Sequence, residues 1–265
     1  MTEPLHSLTH VIETAVNSLR HRPRNFPSVI EWACPVPFFG RAEKARVASV
    51  GLNPSGQEFY DRKGHPLRGN GQRLATLESR GLRDWSAAGP AECSAVAQAC
   101  SDYFDGNPYE SWFDPLEAIF EIAGLGTLHD GGACHIDLAP WATEETWSNL
   151  GSEEAQKALL KHGEQTLLSL LSSTQFDVLL LNGMSVIKGF ECATGVKLSE
   201  VDPVAEWDGP GGRSRCWSVP PSLGDVEPRR PATILGWNWH LQNTPRGALI
   251  RIADWAARAT EQSVA

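Results

Sequence analysis

The sequence predicts an α/β fold, a single three-layer αβα domain around a central parallel sheet of four strands. Three features carry that expectation. Four short apolar runs of strand length are spread along the chain, at Ala45–Val50, Ala133–Leu138, Asp177–Leu181 and Ala232–Leu235. Segments with helical apolar spacing separate them, and strands joined through helices pair in parallel and need both sheet faces covered. No repeat, low-complexity run or composition break divides the 265 residues, of which 41% are hydrophobic. One domain is therefore expected, with residues 1–40 as an N-terminal helix and irregular lead-in and 41–259 as the core.

The elements follow in order. Leu5, Leu8, Ile12, Ala15, Val16 and Leu19 recur at helical spacing, and Pro23 and Pro27 end that helix. Ile30–Phe39 is broken by prolines and reads as irregular. The first strand runs directly into Gly51-Leu52-Asn53-Pro54-Ser55, a composition that forces a sharp loop. A polar stretch from Phe59 to Arg83 carries Arg62, Lys63, Arg68 and Arg73. Helices are expected at Ala95–Phe104 and Trp112–Ala123, before Gly131-Gly132 turns into the second strand. Ser152–Leu171 has the clearest helical pattern, opened by Ser152 and two glutamates. The third strand ends at Asn182-Gly183 and is followed by a helix over Met184–Cys192. Arg215–Val219 reads as an extra strand, the fourth core strand ends at Gly236-Trp237-Asn238-Trp239-His240, and a helix over Gly247–Ala259 closes the fold.

Charge and cysteine usage narrow the function. Lys and Arg number 23 against 32 Asp and Glu, a net charge of −9, so grip on a polyanion by bulk charge is excluded and any nucleic-acid surface must be local. Six Cys without a C-x-x-C pair speak against a zinc or iron–sulfur site and suit reduced thiols in a cytoplasm. No run approaches the ~18–20 apolar residues of a membrane span. The sequence lacks a phosphate-binding glycine loop, a nucleophile elbow and a metal-spaced His or Asp cluster. Cys134 and His135 are adjacent on a strand, face opposite sides and form no dyad.

In an open parallel sheet, ligands bind beyond the carboxyl ends of the strands. Those ends carry Asn53, Asp137, Asn182 and Asn238 with His240. Each has a plainer reading as well: Asn-Pro and Asn-Gly as turn chemistry, Asp137 as a cap or ion pair, the tryptophans as core, and His240 as a hydrogen-bonded structural histidine. What remains chemically is a site of Asn, Asp and His at strand ends, with neither metal nor cofactor.

Val50-Gly51-Leu52-Asn53-Pro54-Ser55 resembles the first motif of the uracil-DNA glycosylase superfamily, in the G-x-N-P form of its mismatch-specific branch. His135–Trp141 (HIDLAPW) lies where that family has its base-reading strand, and Leu179–Phe190 resembles its strand-then-helix segment. Gly236–Gln242 (GWNWHLQ) takes the place of the second motif but departs from its His-Pro-Ser. The resemblance spans about Ala45–Ala259 and implies a metal-free DNA glycosylase that flips a nucleotide out, cleaves its N-glycosidic bond and leaves an abasic site. Residue by residue, it implies Asn53 as the group that positions the attacking water. His240, then Asn238, would donate to the departing base. Gly51, Leu52, Pro54 and Ser55 would shape the pocket, Phe59 would stack on the flipped ring, and Leu241 would be the wedge filling the vacated stack. Arg62, Lys63, Arg68 and Arg246 are expected to contact DNA phosphates. A monomer is expected.

Asp137 falls near the position where uracil readers carry an Asn. A carboxylate only accepts hydrogen bonds, so it disfavours uracil O4 and suits the N4 amino group of cytosine. Excising ordinary cytosine would be lethal. The expected substrate is therefore a marked cytosine, such as the glucosylated hydroxymethylcytosine of phage DNA, and the expected role is antiviral defence. Housekeeping repair of uracil or another deaminated base, a non-catalytic nucleic-acid-binding module and a nucleoside hydrolase are the alternatives.

Overall fold

The computed structural model describes residues 3–21, 29–201, 208–209, 212–213, 216–219, 233–238, 241 and 244–264. The expected helix near the N-terminus is α1, Glu3–Arg20, whose Leu8, Val11, Ile12, Ala15 and Val16 are buried. The proline-broken lead-in does contain a two-residue strand, β1 (Phe38–Phe39), before β2 (Val47–Gly51). Three helices follow: the single turn α2 (Leu77–Arg80), α3 (Pro90–Ser101) and α4 (Glu110–Ala123). Helix α3 starts five residues ahead of the expected Ala95, because Pro90 sits at its first turn and Glu92 reaches back to the Gly89 N–H at 2.9 Å.

Strand β3 (Ala133–Asp137) leads to α5 (Glu153–Ser173), capped by Ser152, whose hydroxyl accepts from the Ala155 N–H. Then come β4 (Val178–Asn182), α6 (Met184–Thr194), β5 (Ser199–Val201), β6 (Asp208–Gly209) and β7 (Gly212–Arg213). The chain closes with β8 (Cys216–Val219), β9 (Thr233–Trp237) and α7 (Arg246–Val264).

The architecture is α/β, and the sheet is mixed. Its seven strands run β1-β3-β2-β4-β9-β8-β5, with β6 and β7 paired separately. The inner four, β3-β2-β4-β9, are mutually parallel. Strand β1 pairs antiparallel on one edge, and β8 and β5 do so on the other. This corrects the expectation of a purely parallel four-stranded sheet: short antiparallel strands cover both edges of the parallel centre, which would otherwise expose unpaired N–H and C=O groups.

The helices associate in two sets. Helix α1 packs on α3 and α5, and α5 on α6, while α4 packs on α7. Gly163 lets α5 approach the chain just after β3 closely, since a Cβ there would lie 2.6 Å from the Leu138 carbonyl oxygen. No helix among the described residues is long and apolar enough to cross a membrane.

Candidate functional site at the carboxyl rim of the sheet

Because the inner strands are parallel, their carboxyl ends share one rim, with Gly51 paired to Asp137 and Asn182 to Trp237 in the register. Two of the loops leaving that rim are zipped together. Gly51 and Leu52 carbonyls accept from the Leu138 and Ala139 N–H groups at 3.1 and 2.9 Å, and Ser55 bridges to Thr143. Asn53 completes the seam: its Nδ2 donates to the carbonyls of Pro54 (3.1 Å) and Trp141 (3.3 Å) and to Thr143 Oγ1 (3.1 Å). With the amide nitrogen committed, Asn53 Oδ1 is left as an acceptor to which no described residue donates. Asn53 is half-buried and Pro54 buried, while Ser55 is exposed and accepts from the Gln57 N–H at 3.2 Å.

Beneath this seam lies a buried polar cluster. His135 and Asp137 are two residues apart on β3, so they share a face. Their side chains are 2% and 3% exposed, with His135 Nε2 3.4 Å from Asp137 Oδ1. Ser49, opposite His135 in the register, lies 2.7 Å from His135 Nδ1 through its Oγ. Gly51 makes the cluster possible, because a Cβ there would sit 2.5 Å from Asp137 Oδ1 and 2.8 Å from His135 Nε2. Phe39 and Phe113 pack their rings against His135. Burial raises the Asp137 carboxyl above its ordinary value, and the His135 contact offsets part of that rise.

Glu58, just after the first motif, is a second buried carboxyl, 2% exposed. Burial pushes it up to about 8, against the lowering effects of the Tyr103 hydroxyl that donates to it and of the Arg73 charge, and Asp137 adds to the rise. The folded chain thus holds a proton on Glu58 that the unfolded chain releases near 4.5. Between those values the folded state binds more protons, so stability falls as pH rises, by up to ~1.4 kcal/mol per pH unit from this group. Glu58→Gln should flatten that decline and raise the melting temperature at pH 8 relative to the parent. Melting curves from pH 5 to pH 8 test this, and equal pH dependence in both proteins would contradict it.

Across the rim, Asn182 Oδ1 accepts from the indole Nε1 of fully buried Trp237 at 3.1 Å, which turns the Asn182 Nδ2 donors away from that ring. Asn238 follows directly and is half-buried. His240, expected to donate to a leaving base, lies outside the described residues.

Other sequence candidates stand elsewhere. Phe59 is buried at 2% exposure with its ring edge-on to Trp32, so it packs in the core below the loop. Leu241 is buried at 3% exposure, which corrects its reading as a protruding wedge: a side chain held in the core cannot enter a base stack without leaving it. Arg62 and Lys63 are exposed on an ordered turn in which Asp61 accepts from the Lys63 and His65 N–H groups. Arg68 pairs with Glu78 at 3.1 Å, and exposed Arg246 opens α7, a different element. A cavity of about 220 Å³ is lined by Trp141 and Ala142 and by Val29, which bridges to Thr143, but by none of Asn53, Asp137, Asn182 and Asn238. No cluster of His, Cys, Asp or Glu among the described residues could hold a metal ion.

Sequence reasoning missed His135, Ser49 and Glu58. The first was legible, because His135 and Asp137 are spaced by two on a strand. Comparison with known proteins finds no family model and no curated protein that matches this chain.

Proposed function

We propose that the protein is a DNA glycosylase of the uracil-DNA-glycosylase type, with a three-layer αβα core, that removes a modified cytosine such as glucosylated hydroxymethylcytosine from foreign DNA. The observation that carries this reading is the anchored Asn53, whose amide nitrogen is held by three acceptors while no described residue donates to its Oδ1. An amide oxygen has no useful basicity, so it orients a water toward C1′ without removing its proton. Catalysis then leans on stabilising the departing base. Donors on that side would come from Asn182 Nδ2 and from the residues after β9. Asp137, two strand positions from His135 and 3% exposed, would supply the acceptor for the N4 amino group of a cytosine ring once the rim loops part around the base.

The test is incubation of the full chain with duplex and single-stranded DNAs carrying uracil, hypoxanthine, a thymine mismatch or modified cytosines, followed by alkaline cleavage of abasic sites. Strand cleavage at modified cytosine is the expected result. Cleavage at uracil alone would replace this reading by housekeeping repair, and binding without cleavage would leave a non-catalytic nucleic-acid module.

DNA contact is proposed for the 61–68 turn and α7. Replacing Arg62, Lys63, Arg68 and Arg246 together with Ser should weaken binding to all DNA sequences alike and flatten its salt dependence, since phosphate contacts carry no base information. Fluorescence anisotropy at several salt concentrations measures both. An unchanged slope would remove these four residues from the interface.

A further inference from the structure

We propose that Ser49 and His135 are positioning residues that hold Asp137 as a hydrogen-bond acceptor, with the proton of the His135–Asp137 contact carried on His135 Nε2. Ser49 is fully buried, and its described hydrogen-bond partner is His135 Nδ1 at 2.7 Å. Were Nδ1 protonated and donating, the buried Ser49 hydroxyl proton would need another acceptor. A buried donor left unsatisfied costs more than an idle lone pair. Donation from Ser49 Oγ–H to Nδ1 uses both groups and leaves the ring proton on Nε2. That atom lies 3.4 Å from Asp137 Oδ1, an ion-pair distance, and in the proposed arrangement Oδ1 accepts from it while Oδ2 keeps its lone pairs for a ligand.

The surroundings favour the same arrangement. Phe39 and Phe113 wall the imidazole with rings that offer it no competing acceptor. Glu58 is the other carboxyl felt by this cluster, and Tyr103 and Arg73 are the groups acting on it. Kept neutral by burial, Glu58 places no like charge beside Asp137, so one buried carboxyl is held protonated and the other is paired with an imidazole N–H. An acceptor with no donor of its own selects a ligand edge that offers N–H. This points to the exocyclic amino group of a six-membered base ring rather than a carbonyl, and that part rests on the glycosylase reading of the site.

The test uses the full chain labelled with ¹⁵N and a long-range ¹H–¹⁵N correlation of the histidine rings. His135→Gln identifies the His135 signals by their loss. If that variant does not fold, Ser49→Ala identifies them by displacing one Nδ1 resonance. The expected result is a protonated Nε2 and a bare, hydrogen-bonded Nδ1. A proton on Nδ1 overturns the proposal whether or not the protein acts on DNA.

In the activity arm, His135→Gln should lower the preference for a glucosylated-hydroxymethylcytosine oligonucleotide over a uracil oligonucleotide by about tenfold or more. An unchanged ratio also overturns the positioning role. A protonated Nε2 in a protein that excises no base from any DNA would uphold the proton placement and reject the glycosylase reading.

Discussion

Asn53→Ala should reduce base excision by at least ~10²–10³-fold, the scale on which loss of one fixed polar group in an active site is felt. Removing the side chain deletes the oxygen proposed to orient water, and also the three contacts of Nδ2 to Pro54, Trp141 and Thr143 that tie the two rim loops together. The second loss is structural and should cost ~1–3 kcal/mol of stability, because acceptors in a half-buried seam lose their donor. The two effects separate experimentally. Single-turnover excision is measured well below the melting transition, with DNA affinity measured alongside. A folded variant that binds DNA and cleaves at the parent rate would contradict the role of Asn53.

Asp137→Asn should invert part of the base preference. In the proposed arrangement Asn Oδ1 still accepts from His135 Nε2, while an NH₂ donor replaces the carboxylate oxygen that met the cytosine amino group. One base-edge pairing is worth ~1–3 kcal/mol of discrimination, so excision of the modified cytosine should fall by about 5–150-fold. The new donor suits uracil O4, and excision of uracil should rise or appear. Stability should hold or increase, because a neutral amide loses less on burial than a carboxylate that burial already raises. Parent and variant are compared on matched oligonucleotides carrying either base. Equal loss on both substrates would reduce Asp137 to a structural group.

Much of the fold was legible because its signals are local. The four inner strands are apolar runs bounded by Gly, Pro and Asn, and α1 and α5 declare themselves by period and cap. The sheet edges were not legible in the same way. Strand β1 is two residues long and follows directly on Pro35 and Pro37, and its pairing with Ile136 and His135 is a contact across about a hundred residues that no local pattern encodes.

The site divides similarly. Asn53 and Asp137 were visible as polar residues at strand ends, where a parallel sheet collects its functional groups. The partner that fixes Asn53, Thr143, is 90 residues away and sits in an unremarkable loop. Glu58 carried no signal at all: between Gln57 and Phe59 it reads as a solvated charge, and only the fold buries it against Tyr103. Phe59 and Leu241 were read for chemistry, whereas their apolar character accounts for where they stand, in the core.

Mass spectrometry of the small-molecule fraction released from DNA containing glucosylated hydroxymethylcytosine decides whether the chain excises that base. The parent protein should release a free glucosylated base and leave an equal number of abasic sites in the DNA, and Asn53→Ala should yield neither product. Release of free uracil from control DNA with no release of the modified cytosine would contradict that expectation.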